Sequence, residues 1–249
     1  MKKLTIEETH KTKTGKVSDK WESYLPYYDA LLEPIRDNKL NLLEIGVQNG
    51  GSLETWSKYF DKAENIIGCD IDEKCNLLKY DDPRVKVIVG DANNVATFNK
   101  ISDTCNEYDL IIDDGSHKNY DIITSFLLYF PKLRPNGIYI VEDSHTLYMN
   151  EWGGGILNDS SAYAFFKKVV DIINLEFWTK ELRIDVYFRN FFPLGEFPAF
   201  LAEGWIESIE FRNSLIVLRK SASPKINKLG NRIITGNEAV VEDNVLNLK

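Results

Sequence analysis

Asn41-Leu42-Leu43-Glu44-Ile45-Gly46-Val47-Gln48-Asn49-Gly50-Gly51-Ser52 decides the architecture of this chain. A short apolar run bounded by a glycine-rich turn reads as a buried strand, over 41–47, and the turn opens a helical pattern over 52–59. Glycines at such a turn let the backbone take positive φ or come close to a ligand. The alternation then continues, with strands expected at 65–70, 85–89, 110–112 and 137–141 and helical patterns at 92–101 and 120–133. Strand and helix alternating at this spacing specify an α/β fold with a parallel, doubly wound sheet and right-handed crossovers. Ligands of open α/β sheets bind at the edge where strands run into their loops.

On the N-terminal side, residues 1–19 are polar and are expected to form a loosely held arm. Residues 21–35 then form an entry helix with Tyr24, Tyr27, Tyr28, Leu31, Leu32 and Ile35 on one face. On the C-terminal side, Gly153-Gly154-Gly155 marks a mobile or tightly turned loop and 160–175 an amphipathic helix. Runs at 184–187 and 215–218 read as late strands able to add an antiparallel hairpin to the sheet edge. The insert 189–198, rich in Phe, reads either as a lid or as a hydrophobic subunit contact. The chain divides into an arm and entry helix (1–40), one α/β domain (41–220) and a polar tail (221–249).

The 249 residues suffice for one large core, and 43% hydrophobic with 12% aromatic content is ordinary for a globular α/β domain. A net charge of −8, with the basic residues scattered, argues against holding nucleic acid by phosphate neutralisation. The expected partner is therefore a small molecule, such as a neutral sugar. Cys69, Cys75 and Cys105 are odd in number and form no CxxC pair, which supports neither a disulfide framework nor a zinc site and fits a reducing cytoplasm. No stretch approaches the roughly 18 apolar residues of a membrane span, and the N-terminus lacks an apolar signal region. A cytoplasmic protein is the expectation, possible homo-oligomers included.

Carboxylates gather where strands end. Glu44, Asp70 and Asp91 close the first three strands. The fourth and fifth run into Asp114-Gly115-Ser116-His117 and Glu142-Asp143-Ser144-His145. Taken alone, an acid at such a place serves equally as a helix cap or turn former. With no Lys or Arg expected among them, Asp114, Glu142 and Asp143 would repel one another, and a hard divalent cation such as Mg2+ would relieve the repulsion. Asp113, alternating with Asp114 along its strand, is expected to be structural, and the role of His145 is open.

The turn spacing is not G-x-G-x-x-G, which disfavours a pyrophosphate-binding loop and with it a nicotinamide oxidoreductase. It resembles instead the first motif of class I S-adenosylmethionine-dependent methyltransferases. The resemblance sharpens in Ser18-Asp19-Lys20-Trp21, Tyr27-Tyr28, the strand through Val47, Gly51-Ser52, Ile112 to His117 and Val141 to Thr146. Together these look like the metal-dependent sugar O-methyltransferases of macrolide tailoring, of mycinamicin and macrocin type, and their cephalosporin hydroxylase-like relatives. The match covers about residues 15 to 150.

That resemblance implies a Rossmann-like, mostly parallel seven-stranded sheet with an antiparallel C-terminal hairpin strand. It places S-adenosylmethionine at Glu44, Gly46, Gly50, Ser52, Asp70 and Asp91, with Asp70 on the ribose hydroxyls and Asp91 near the adenine. Asp114, Glu142 and Asp143 match the family's Mg2+ ligands, and His117 matches its general base, with Asp114 also counted as catalytic. The implied reaction is methyl transfer to one hydroxyl of a vicinal diol on a sugar. The alternatives are a catechol-type phenolic acceptor or a non-catalytic cofactor-binding partner subunit. Trp21, Tyr24, Tyr27 and Tyr28 line an acceptor pocket on this view, or else pack the entry helix; Trp152 and its glycines cover the acceptor or form a plain surface loop.

Overall fold

The computed structural model describes residues 3–179, 182–193, 195–236, 238 and 240. Its centre is a seven-stranded sheet in the order β3-β2-β1-β4-β5-β7-β6. The strands are β1 (Asn41–Ile45), β2 (Asn65–Asp70), β3 (Val85–Val89), β4 (Tyr108–Asp113), β5 (Leu133–Val141), β6 (Ile206–Arg212) and β7 (Leu215–Lys220). The first five are parallel, and β7 runs antiparallel to both β5 and β6. This is the mostly parallel sheet, with an antiparallel C-terminal hairpin, expected from the alternation.

Helices α1 (Ile6–Thr12), α2 (Tyr24–Leu32), α3 (Gly51–Tyr59), α4 (Val95–Thr104), α5 (Asn119–Tyr129) and α6 (Ala162–Ile173) cover the sheet, with one-turn helices α7 (Ile184–Tyr187) and α8 (Ala199–Ala202). β1 is buried along its whole length, as a central parallel strand with both faces covered must be. Leu43, Ile45, Ile111, Tyr139 and Val141 pack on one face against Phe126 and Phe166. Leu42, Leu110, Ile112 and Ile140 pack on the other against Tyr28 and Trp56.

Register sets the site. Cys69, Ile45, Asp113 and Val141 stand level across β2, β1, β4 and β5. The next residues, Asp70, Gly46, Asp114 and Glu142, therefore form one row along the carboxyl edge. The ladder carries on into that row, since Asp114 N–H donates to Ile45 O at 2.8 Å and Glu142 N–H to Asp113 O at 2.9 Å.

Three expectations change. The arm is not loose: Thr5 and Glu8 form a capping box that starts α1, and Ile6 and Thr9 are buried. Residues 184–187 are a helical turn rather than a strand, because a four-residue apolar run carries no period that separates the two. The hairpin partner of β7 is instead β6, an edge strand whose Glu207 and Glu210 mask its strand character. In the Phe-rich insert Phe192 is buried and Phe191 and Phe197 are half-buried against the core, packed beside Phe188, which precedes the insert. Phe188 is fully buried, its ring centroid 5.8 Å from Phe165, 6.2 Å from Phe192 and 5.5 Å from Phe197.

Position 194 of the insert, residues 1–2 of the arm and 237, 239 and 241–249 of the tail lie outside the described residues. The start of the tail is held down, since Lys228 N–H donates to Glu176 Oε1 at 3.0 Å and Lys228 Nζ to Ser221 Oγ at 3.0 Å. No helix among the described residues is long and apolar enough to cross a membrane.

Candidate active site

A cavity of about 630 Å³ opens at the carboxyl edge, between the glycine turn and the two acid-histidine strings. Gly46 and Ser52 from the turn, Asp70, Asp91, Asp114, His117, Glu142 and Asp143 all line it. The strand order reverses between β1 and β4, so the cavity sits at the switch point where two crossovers leave in opposite directions.

The turn is built to bring backbone close to backbone. Gly46 holds φ +91°, and a Cβ there would lie 2.0 Å from the Asp114 carbonyl oxygen. Asp70 fastens the turn: its Oδ2 accepts the N–H groups of Val47 and Gln48, both at 2.7 Å, and its Oδ1 accepts Asp72 N–H at 2.8 Å. Asp91 accepts Asn93 N–H at 2.9 Å and borders the cavity beside Gly90. Glu44 and Gly50 do not line the cavity. Glu44 alternates to the α3 side of the sheet, fully buried, where it accepts Ser52 Oγ–H at 2.6 Å and Trp56 Nε1–H at 3.2 Å. Burial pushes its carboxyl up to about 7. Glu44 thus braces the turn from behind.

In the acidic half, Asp114, His117 and Asp143 each present a ligand atom within 4.8 Å of the others, a group that could hold a metal ion. His117 Nε2 lies 4.0 Å from Asp114 Oδ1 and 3.7 Å from Asp143 Oδ2. Glu142 is outside this trio. Its Oε1 accepts Tyr28 Oη–H at 2.7 Å and Lys20 Nζ–H at 2.8 Å.

Lys20 corrects the expectation of an un-neutralised carboxylate cluster. Its ammonium, 6% exposed, also donates to Asp114 Oδ2 at 2.6 Å and stands 3.9 Å from Glu44 Oε1. Burial works against that charge, but Glu142, Asp114 and Glu44 outweigh it and hold the amine well above its ordinary value. One ammonium among three carboxylates leaves an excess of negative charge. Burial and the neighbouring Asp114 accordingly raise the Glu142 carboxyl. Sequence reading missed Lys20 because it lies 94 residues from Asp114 and 122 from Glu142; its signal was membership of the quoted Ser18-Asp19-Lys20-Trp21 motif.

Of the four aromatic residues weighed for an acceptor pocket, only Trp21 borders the cavity, and its indole N–H donates to Asp143 Oδ1 at 2.8 Å. Tyr24 accepts Asp143 N–H at 3.1 Å and lies 2.8 Å from Ser214 Oγ, while Tyr27 points to Glu210 at 2.9 Å. Trp152 stands edge-on to His117 with centroids 6.1 Å apart. The three glycines after it form a tight turn, in which Asn119 Nδ2–H donates to Trp152 O at 3.1 Å and a Cβ on Gly154 would meet Leu147 O at 2.2 Å. His145 Nδ1 bonds Ser214 Oγ at 2.6 Å and stands 4.0 Å from Asp143 Oδ1. Asp113 is buried on the opposite face from Asp114, against Tyr139 Oη at 3.3 Å, and burial pushes its carboxyl up to about 7.

Residues 43–144 match a family model described as a methyltransferase domain. The fold is the α/β methyltransferase fold, and within it residues 43–144 resemble a methyltransferase domain. Its particular likeness is to sugar O-methyltransferases. It is 35% identical over 164 residues to the 8-demethyl-8-alpha-L-rhamnosyl tetracenomycin-C 2'-O-methyltransferase of Streptomyces olivaceus, a match covering 62% of this chain and 42% of that protein. It is 36% identical over 138 residues to the mycinamicin VI 2''-O-methyltransferase of Micromonospora griseorubida, covering 53% of this chain and 34% of that protein. Among solved structures, the MycE methyltransferase of the mycinamycin biosynthetic pathway, in complex with Mg and SAH, superposes with a TM-score of 0.72 at 25% identity, covering 91% of this chain and 56% of that one. The chain spans about a third to about half the length of the curated relatives it matches.

Proposed function

We propose that the chain is a Mg2+-dependent O-methyltransferase that moves the methyl group of S-adenosylmethionine to one hydroxyl of a vicinal diol on a sugar. The observation that carries this reading is the single cavity in which the braced glycine turn and the Asp114, His117 and Asp143 trio face the same space. The relatives named above are sugar O-methyltransferases, and the MycE structure holds Mg and SAH, which supports the same pairing of cofactor and metal here.

The residues fit both groups. A cavity of about 630 Å³ lies within the usual range for small-ligand sites. Asp70 and Asp91 border it with carboxylate oxygens suited to ribose hydroxyls and a base edge. Carboxylates suit a hard divalent ion, for which Asp114, Glu142 and Asp143 are the proposed ligands, Glu142 once the Lys20 ammonium gives up its Oε1; His117 Nε2 then stays free to act as base. When bound, the sulfonium cofactor supplies an electrophilic methyl group, and the cation lowers the pKa of a sugar hydroxyl and orients it.

The chain's own part is positioning and proton removal. Asp70 ties the turn so that its cavity face stays open, and Glu44 braces the same turn through Ser52 and Trp56. His117 Nε2 takes the proton of the attacking hydroxyl as the oxygen–carbon bond forms and the carbon–sulfur bond breaks. A general base of this kind contributes roughly 10²- to 10⁴-fold. Holding the oxygen in line with the methyl contributes through proximity.

The deciding experiment is calorimetric titration of S-adenosylhomocysteine into the protein with Mg2+ and with chelator, followed by labelled methyl transfer to diol sugars. Binding that persists in chelator, with metal-dependent labelling of a sugar, is the expected result. Absence of binding in both conditions overturns the reading; labelling of catechols alone replaces the sugar by a phenol.

A further inference from the structure

The two carboxylate oxygens of Asp143 have different surroundings. Oδ1 accepts the indole N–H of Trp21 at 2.8 Å and lies 2.9 Å from Tyr24 Oη. Oδ2 receives no hydrogen bond among the described residues and faces His117 Nε2 at 3.7 Å, in a side chain that lines the cavity.

The buried Tyr24 hydroxyl has one hydrogen to give and two lone pairs to receive. Asp143 N–H donates to it at 3.1 Å. Its other neighbours are Asp143 Oδ1 at 2.9 Å, Ser214 O at 2.9 Å and Ser214 Oγ at 2.8 Å. Ser214 O already accepts Ser144 N–H at 2.9 Å, and an ionised carboxylate is the stronger acceptor, so the Tyr24 proton goes to Asp143 Oδ1. Ser214 Oγ–H then donates to Tyr24 and accepts His145 Nδ1–H at 2.6 Å. Ser214 holds this place from the turn between β6 and β7, at φ +67°. Two donors thus fill Oδ1, and Asp143 has one oxygen left to offer.

We propose that Trp21 and Tyr24 are positioning residues that make Asp143 a one-oxygen ligand and so set the preference of the acidic site for a small, six-coordinate cation over Ca2+. Mg2+ demands near-octahedral geometry at short distance, whereas Ca2+ takes roughly six to eight oxygens and uses carboxylates that chelate through both. A carboxylate with one oxygen tied back serves the first ion and leaves the second short of ligands. The inference rests on the metal-dependent reading above and adds to it the residues that choose among hard cations. Outer groups of this kind act through the ligand they hold.

The test uses the full chain with Mn2+ as the probe ion, paramagnetic resonance of the free ion as the signal, and Mg2+ and Ca2+ as competitors. The quantity read is the ratio of Ca2+ to Mg2+ affinity. Trp21→Phe and Tyr24→Phe each remove one donor and keep an aromatic ring. Each should raise the ratio, and the double variant should raise it by about tenfold or more, the lower end of the usual effect of outer groups on metal affinity. Ser214→Gly suits the left-handed backbone and removes the hydroxyl that aims the Tyr24 proton, so it should shift the ratio the same way. Trp21 is 57% exposed, so Trp21→Phe leaves the core intact and decides the matter by itself if Tyr24→Phe fails to fold. A purely structural role would weaken both ions together and leave the ratio where it was. A ratio unchanged or lowered in Trp21→Phe overturns the proposal while the methyltransferase reading stands. A wild type that binds S-adenosylhomocysteine but none of the three ions removes the proposal together with the metal part of that reading.

Discussion

His117 Nε2 stands 3.7 Å from Asp143 Oδ2, and both residues hold left-handed backbone, with φ +55° and +51°. Outside glycine this conformation costs on the order of 1–3 kcal/mol and collects at functional sites. One hydroxyl links the two: Thr146 Oγ lies 3.0 Å from His117 O and 2.9 Å from Asp143 O. Two loops from different strands are thereby clamped with their side chains face to face.

His117→Asn tests the base without disturbing that clamp, since Asn tolerates the left-handed region. Methyl transfer is expected to fall by roughly 10²- to 10⁴-fold with S-adenosylhomocysteine affinity unchanged. Single-turnover labelling beside calorimetry reads both; an unchanged rate assigns the proton to another group.

Asp114→Asn keeps the shape of a side chain that faces both Lys20 and His117. Mn2+ binding should weaken by at least about tenfold while S-adenosylhomocysteine still binds. Retained Mn2+ affinity in a resonance titration would place the metal elsewhere.

Gly46→Ala sets a Cβ against the Asp114 carbonyl at a backbone φ of +91°. The expected loss is about 2 kcal/mol or more of stability, with loss of cofactor binding, because the β1 turn and the β4 edge must part. Urea unfolding and S-adenosylhomocysteine titration check it, and a variant as stable as wild type contradicts the close packing.

Asp113 carries a pH dependence. Its folded-state carboxyl is raised by burial from 3.8 to about 7, so the folded chain binds this proton more tightly than the unfolded one. The stabilisation is complete below about pH 4 and is lost as pH rises through about 7, a change of up to about 4 kcal/mol. In chelator, Asp113→Asn should reduce the slope of melting temperature against pH between 4 and 8, leaving the part that the buried Glu44 and Glu142 carry, and be the more stable form at pH 8. A slope undiminished by the substitution would assign the proton to the other buried carboxyls.

Phe188→Ala should cost about 3–5 kcal/mol, as for a ring removed from a packed core. Its side chain is fully buried among Phe165, Phe192 and Phe197. A loss under 1 kcal/mol in urea unfolding would contradict that packing.

Much of the site was legible in advance because local pattern carries it. β1, its glycine turn and the acids that end β2, β4 and β5 follow from apolar runs closed by Gly and Asp, and parallel register then aligns them in one row. β6 was missed, and the insert left open, for the opposite reason. A cluster of Phe looks the same whether it meets solvent, a subunit or its own core, and an edge strand carrying Glu207 and Glu210 loses the alternation that would reveal it.

The amino-acid sequence by itself determined the strand and helix order, the glycine turn and the residue types standing at the carboxyl edge, because each depends on neighbours a few positions away. Only the tertiary structure decided that Lys20 stands between Asp114 and Glu142, that Glu44 turns away from the cavity to hold Ser52 and Trp56, and that Asp143 faces His117 rather than solvent. Charges pair by distance in space. The distance from the arm to the ends of β4 and β5 is set by where the chain crosses the finished sheet, which no local pattern encodes.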